Sequence, residues 1–170
     1  MAGRLEGKIA FITGAGSVGP GWGNGRATAI RFAQEGAKVF ATDINLANLD
    51  ETLALAGDAA QNITTAKLDI FQASAIEESV QACIQKYGAL DILVNVVGGS
   101  AKGGPVEMTE EVWDAQVDFN LKSVFLTCKY ALPELIKREK GSIINFASTS
   151  GTRWTGSAQI AYAATKAGVI

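Results

Sequence analysis

The sequence predicts an α/β domain built on a doubly wound parallel sheet. Short β-branched apolar runs alternate with longer stretches of helical spacing along the whole chain. Six of the nineteen glycines fall within residues 14–25, between the first such run and the first helical stretch. With 170 residues, 48% of them apolar and 19% charged, the chain can bury one sizeable core without staples.

Each element follows from its residues. Residues 8–13 (KIAFIT) read as a buried first strand, and after the glycine stretch a helix runs from about Arg26 to Glu35 and stops at Gly36. Residues 38–43 (KVFATD) are the second strand, and 46 to about 56 a helix closed by Gly57. Residues 62–68 form a more polar strand, as suits an edge. Ser74 and Glu77 read as a capping box opening a helix whose Ile76, Val80, Cys83, Ile84 and Tyr87 share one face up to Gly88. Residues 90–95 (LDILVN) are apolar enough for a central strand. Thr109 caps a long helical pattern from Glu110 to about residue 140, interrupted near Asn120 and again by Pro133. Residues 142–146 make a fifth strand, and a last helix begins near Gln159. No repeat, low-complexity tract or linker divides this pattern, so residues 1–170 are expected to be a single domain.

Composition excludes several classes of function. A formal charge of −2 leaves no basic footprint for nucleic acid or an anionic membrane, which points to small-molecule partners. There is neither a long uninterrupted apolar run nor a basic segment ahead of an apolar one at the start, so the expectation is a cytoplasmic protein with no membrane span. Cys83 and Cys128 sit at apolar positions of helical patterns and read as reduced, packed thiols. The chain contains no histidine. Ser-His-Asp triads and nearly every zinc site are therefore excluded, no metal is expected, and proton chemistry must fall to a Tyr, Lys, Cys or carboxyl group.

Residues 13–25 (TGAGSVGPGWGNG) lie where a strand hands over to a helix, and glycine there lets backbone approach a pyrophosphate held by unpaired N–H groups. Glycines also simply make turns. Asp43 ends the second strand, where a carboxylate can accept hydrogen bonds from adenosine ribose hydroxyls and repels a 2′-phosphate; read alone it could equally be a turn or capping aspartate. Together these features favour a dinucleotide, with NAD preferred to NADP because no Arg or Lys directly follows Asp43. Tyr162 and Lys166 are four apart on the last helix and share a face. A phenol is a poor base at neutral pH, but a neighbouring ammonium stabilises its phenolate. An ordinary helix surface would also explain an isolated pair of this kind.

Thr13-Gly14 with the glycine loop, Asp43, Asp69, Asn95 to Gly98, Asn120, Ser148 and Tyr162 to Lys166 occur in an order and setting that resembles the short-chain dehydrogenase/reductase family over essentially the whole chain. The resemblance implies a Rossmann-like sheet of strand order 3-2-1-4-5 and an NAD(P)-dependent enzyme interconverting a secondary alcohol and a ketone. It implies that Tyr162 exchanges a proton with the substrate oxygen, that Lys166 binds the nicotinamide ribose and activates the tyrosine, that Ser148 holds the substrate oxygen, and that Asn120 kinks its helix and supports a water relay. Gly14, Gly23, Asn24, Gly25, Asp43, Asp69, Ile70, Asn95 and Gly98 would border the cofactor with Tyr162 and Lys166. An oligomer of identical chains in the full-length form is implied too.

Three departures stand out. The glycine loop is longer than the family's usual one; Gly19 and Gly21 are candidate counterparts, but Arg26-Ala27 after Gly25 matches the usual helix start, so Gly23 and Gly25 are aligned and Ser17 to Trp22 become an inserted flap. Trp22 would then cover the cofactor or pack on the domain. Val96-Val97 replaces a common Asn-Ala, which removes a side-chain hydrogen bond and keeps backbone contacts. Finally, family members usually continue further, so the domain is expected to lack its last strands and the fifth strand to be an exposed edge prone to association. Two alternatives remain: an NADPH-dependent carbonyl or 3-oxoacyl reductase, and a non-catalytic nucleotide-binding fragment.

Overall fold

The computed structural model describes residues 3–138 and 140–170. Five parallel strands, β1 (Ile9–Thr13), β2 (Lys38–Asp43), β3 (Ile63–Lys67), β4 (Ile92–Asn95) and β5 (Ser142–Asn145), stand in the order β3-β2-β1-β4-β5. This is the order expected of a doubly wound sheet. The helices are α1 (Asn24–Gln34), α2 (Leu46–Ala56), α3 (Ala73–Tyr87), α4 (Glu110–Val117), α5 (Ser123–Lys137) and α6 (Ile160–Val169).

Period-two alternation places the side chains of β1 on opposite faces of the sheet. Ala10 and Ile12 join Val39, Ala41 and Val94 under α1 and α2, with Ala29, Ile30 and Leu49. Phe11 joins Phe40 and Leu93 on the other face, where Ile76, Val80 and Cys83 of α3 and Leu126, Ala131 and Leu135 of α5 cover them. Asp91 anchors the amino end of the sheet: 3% exposed, it accepts from Ile9 N at 3.0 Å and from Arg138 Nε at 3.0 Å. β5 is exposed along its whole length. Among the described residues no helix is long and apolar enough to cross a membrane, and both cysteines are free. Burial pushes the Cys83 thiol up to about 12, which keeps it protonated and inert.

Local departures from the sequence reading have identifiable causes. Helix α3 begins at Ala73 with Gln72 as its N-cap and no side-chain cap, so Ser74 and Glu77 do not form a capping box. The preceding turn sets the entry instead. Asp69 Oδ1 accepts from Phe71 N at 3.0 Å, Gln72 N bonds Asp69 O at 3.2 Å, and Ile76 N then bonds Gln72 O at 3.1 Å. Pro133 does not interrupt α5. It lies on the exposed face, where water can satisfy the carbonyl it leaves unpaired, while Ala131 and Leu135 stay packed on the core side. The interruption near Asn120 is real: residues Asp118–Lys122 form a widened π turn between α4 and α5. Such single π turns insert one residue and re-aim side chains.

Candidate active site

A cleft of about 650 Å³ opens at the carboxyl ends of β1, β2 and β4, the position at which doubly wound sheets bind ligands. Its floor is the glycine loop. Gly14 takes a left-handed φ of 64°, and a methyl group on Gly25 would overlap the Gly14 carbonyl oxygen, so α1 can start only against bare backbone. A methyl on Gly16 would stand 2.6 Å from Asn48 Cβ and 2.8 Å from Asp43 Oδ2. Gly19 and Gly21, by contrast, have nothing within 4 Å of such an added carbon. Gly23 and Gly25 thus stand close against neighbouring atoms and line the cleft, whereas Gly19 and Gly21 do neither. Gly16 was missed by sequence reasoning, although its spacing from Gly14 was the available signal.

The start of α1 is left open to an anion. Its N-cap is Gly23, which offers no side-chain acceptor, and no acidic residue occupies its first turn. Gly14, Gly23, Asn24 and Gly25 all line the cleft beside this end. Asp43 closes the cleft at β2, its Oδ2 accepting from Gly16 N at 3.1 Å and its Oδ1 from Asn45 N at 3.0 Å. The capping duty of α2 belongs to Asn45, whose side chain accepts from Ala47 N at 3.0 Å. Asp43 therefore braces the glycine loop and presents its carboxylate to the cleft.

The remaining predicted binding residues divide. Ile70 and Gly98 line the cleft, as do Val96 and Val97. Asp69 does not line it, because its carboxylate shapes the turn into α3. Asn95 does not either. Only 3% exposed, it donates to Asn145 Oδ1 at 2.9 Å and accepts from Thr127 Oγ1 at 2.7 Å, which spends its side chain on holding the sheet. Trp22 neither lines the cleft nor packs on the domain, being 62% exposed. The loop that carries it is fastened by Arg26, a fully buried guanidinium that donates to the Gly21 carbonyl, to Thr52 Oγ1 at 3.2 Å and to Glu51 Oε2 at 2.6 Å.

Lys166 and Asn120 both approach Gly98, and Tyr162 stands beside Lys166. A methyl on Gly98 would lie 2.9 Å from Asn120 Oδ1 and 3.0 Å from Lys166 Nζ, so this glycine is what lets both side chains approach. Lys166 is 3% exposed and donates to the Phe146 carbonyl at 2.7 Å. Its ammonium stands 5.8 Å from the centre of the Tyr162 ring. Burial lowers the Lys166 pKa from its ordinary 10.5, since desolvation penalises the charged form. Ser148 follows Phe146 by two residues and opens the turn Thr149–Gly151, accepting from Ser150 N at 3.2 Å. That turn packs directly on α6: a methyl on Gly151 would come within 2.6 Å of Ala167 N. Ser150 Oγ accepts from Gln159 Nε2 at 2.8 Å and lies 3.4 Å from Thr155 Oγ1, which can take its hydrogen, and Ser148 Oγ, accepting from Ser150 N, keeps its hydroxyl hydrogen to donate. Among the described residues there is no cluster of three metal-ligating side chains.

Sheet order and cleft together define a Rossmann-type NAD(P)-binding protein. A family profile described as short chain dehydrogenase matches residues 8–170. The chain belongs to that family. It is 42% identical over 167 residues to the 3-oxoacyl-[acyl-carrier-protein] reductase FabG of Thermotoga maritima, covering 98% of this chain and 65% of that protein. Among solved structures, a short-chain dehydrogenase/reductase from Burkholderia xenovorans superposes with a TM-score of 0.95 at 51% identity, over 98% of this chain and 66% of that one. Carveol dehydrogenase from Mycobacterium avium, in complex with NAD, gives 0.88 at 32% identity, over 98% of this chain and 63% of that one. The chain thus spans about 65% of the length of the curated relatives it matches.

Two measurements test this geometry. Gly25→Ala should lower stability by about 3 kcal/mol through overpacking, whereas Gly19→Ala should change it by less than about 0.5 kcal/mol; urea unfolding of the pair decides, and equal effects would contradict the contact at Gly25. The buried ammonium sets a pH dependence. Because the folded pKa of Lys166 lies below 10.5, the unfolded chain binds more protons between the two values, so this group makes stability rise as pH climbs toward 10.5. The unfolding free energy of wild type minus that of Lys166→Met should increase over that window. A flat difference would mean that the lysine is not desolvated.

Proposed function

We propose that this chain carries the cofactor cleft and proton-transfer groups of an NAD-dependent oxidoreductase that interconverts a secondary alcohol and a ketone. The observation that carries the reading is the approach of Lys166 and Asn120 to Gly98, which lines the glycine-rich cleft, with the Tyr162 ring beside the Lys166 ammonium. Residues 1–170 act in it as one NAD(P)-binding domain.

The residues fit a dinucleotide. The open start of α1 and Gly14, Gly16, Gly23, Asn24 and Gly25 suit a pyrophosphate, which needs backbone N–H groups and no intruding Cβ. Asp43 suits ribose hydroxyls and opposes a 2′-phosphate. Arg26, a nearby cation, is spent on Thr52, Glu51 and the Gly21 carbonyl, so it offers no phosphate site. NAD bound there would supply the hydride-accepting or hydride-donating carbon.

Proton transfer falls to the protein. During oxidation the alcohol oxygen gives its proton to the Tyr162 oxygen as the carbinol hydrogen leaves with its electron pair; reduction runs the same transfers backward. The Lys166 ammonium stands beside this phenol, 5.8 Å from the centre of its ring. Ser148 donates a hydrogen bond to the substrate oxygen and holds it in register. Asn120 keeps the Gly98–Gly99 segment against Lys166, with Gly99 N donating to its Oδ1 at 2.9 Å. The two free thiols accord with a cytoplasmic enzyme. The exposed stripe Phe125, Leu132 and Ile136 along α5 supports association of identical chains.

The name of the Thermotoga maritima relative favours a second reading, reduction of a 3-oxoacyl thioester with NADPH. Calorimetric titration separates the two. NADH should bind at least about tenfold more tightly than NADPH, and the Asp43 reading fails if NADPH is preferred. In the intact protein Tyr162→Phe should abolish turnover while leaving NADH affinity within about twofold. Retained turnover would overturn the proton-transfer role.

A further inference from the structure

Helix α4 buries one residue, and it is polar: Gln116, 8% exposed. A buried amide costs stability unless its groups are paired, and an apolar side chain would serve packing at least as well. The pairing of Gln116 is informative. Its Oε1 accepts from Ala101 N at 3.1 Å and from Asn120 Nδ2 at 3.3 Å, so one oxygen holds both the loop after β4 and the amide of the site residue one turn ahead.

We infer that Gln116 is a positioning residue for the proton-transfer site, a role that rests on the function proposed above. It acts in two directions. The Asn120 Nδ2 is surrounded by acceptors: Gly99 O at 3.0 Å, Gln116 O at 3.1 Å and Gln116 Oε1. Its Oδ1 takes the Gly99 N–H and lies 2.9 Å from the point where a Gly98 Cβ would stand, and that same point is 3.0 Å from Lys166 Nζ. Gln116 Oε1 adds to these acceptors, so a flipped Asn120 amide would set oxygen against oxygen there as well, and Gln116 reinforces the orientation that turns Oδ1 toward Gly98. In the other direction, the loop held at Ala101 continues to Gly103. Gly103 bridges to Gln159, with Gly103 N on Ala158 O at 2.9 Å and Ile160 N on Gly103 O at 3.1 Å. Ile160 is the first residue of α6, two before Tyr162. Gln116 thereby ties the Asn120 turn and the first turn of the Tyr162 helix to one anchor.

The test uses the intact protein and three variants. Gln116→Met keeps the length of the side chain and removes the acceptor; Gln116→Asn keeps an amide but withdraws it by one methylene; Gln116→Glu keeps an acceptor in place. Misplacement of reacting groups by a fraction of an ångström to an ångström lowers rates by about tenfold to a hundredfold. Gln116→Met should therefore lose kcat by that factor with KM and NADH affinity within about threefold, and Gln116→Glu should regain most of it. If Gln116→Met does not fold, Gln116→Asn replaces it with the same expectation. Hydrogen exchange at the Ala101 and Gly103 amides, which needs no turnover, should speed up in Gln116→Met and slow again in Gln116→Glu. Wild-type kcat in both acceptor-lacking variants, or equal loss in all three, overturns the role of Gln116 and leaves the proposed function standing. If wild type itself turns over no alcohol or ketone with either cofactor, the proposed function fails; the exchange result then decides the anchor alone, and unchanged exchange rates overturn it.

Discussion

The site depends on a polar seam that aligns the carboxyl ends of β1, β4 and β5. Asn95 bonds Asn145 across the β4–β5 pair and receives Thr127 from α5, while Val96 N donates to Thr13 Oγ1 at 3.2 Å across the β1–β4 pair. Along the buried strands β1 and β4, apolar side chains set depth but specify register weakly, because Val, Ile and Leu exchange places at little cost. Buried amides and hydroxyls are less forgiving: displaced by one residue, each would leave an unpaired group costing about 1–3 kcal/mol. Three loops of the site leave from this seam. The glycine loop follows Thr13, the segment bearing Gly98 follows Asn95, and the segment bearing Ser148 follows Asn145.

Downstream of the seam, the structure accepts an unfavourable burial. Lys166 is nearly inaccessible to solvent and its hydrogen bond goes to a neutral carbonyl, with no carboxylate as partner. Among the described residues no salt bridge balances this buried cation, which stands 5.8 Å from the centre of the Tyr162 ring. Glycines at 98 and 151 make the burial possible, because a side chain at either would push the lysine or its helix away. Stability given up here is offset in the two apolar cores that flank the sheet.

The fold was legible because its signals are local. Buried strands announce themselves by β-branched runs, helix ends by Gly36, Gly57 and Gly88, and the edge position of β3 by its threonines and lysine. What escaped was whatever depends on contacts distant in the sequence. Ser74 and Glu77 have the spacing of a capping box, yet a turn held by Asp69 begins the helix earlier. Asn95 looks like a ligand-binding residue, yet its partners are fifty and thirty-two residues away. Gln116 carries no sequence signal, since a glutamine on an amphipathic helix usually faces water. The motif residues Asn120, Tyr162 and Lys166 were legible as a set, but the approach of Asn120 and Lys166 to Gly98 is a product of three-dimensional packing.

Arg26 shows how such packing bears on cofactor choice. It follows the glycine loop directly, and in the sequence alone it is a cation close to the expected phosphate site. In the structure its guanidinium turns toward α2, where Thr52, the Asn48 carbonyl and Glu51 take its donors, and the Gly21 carbonyl takes another. Five donors in a fixed fork suit this bridging between a loop and a helix better than a lysine would. Its charge is thereby balanced away from the cleft, and the inserted segment is fastened at Gly21 and leaves the cleft mouth open. Asp43 remains as the charged group lining the cleft beside the end of β2. In the reading proposed above, the buried arginine and the half-buried Asp43 would act together against a 2′-phosphate, the one by being spent elsewhere and the other by repulsion.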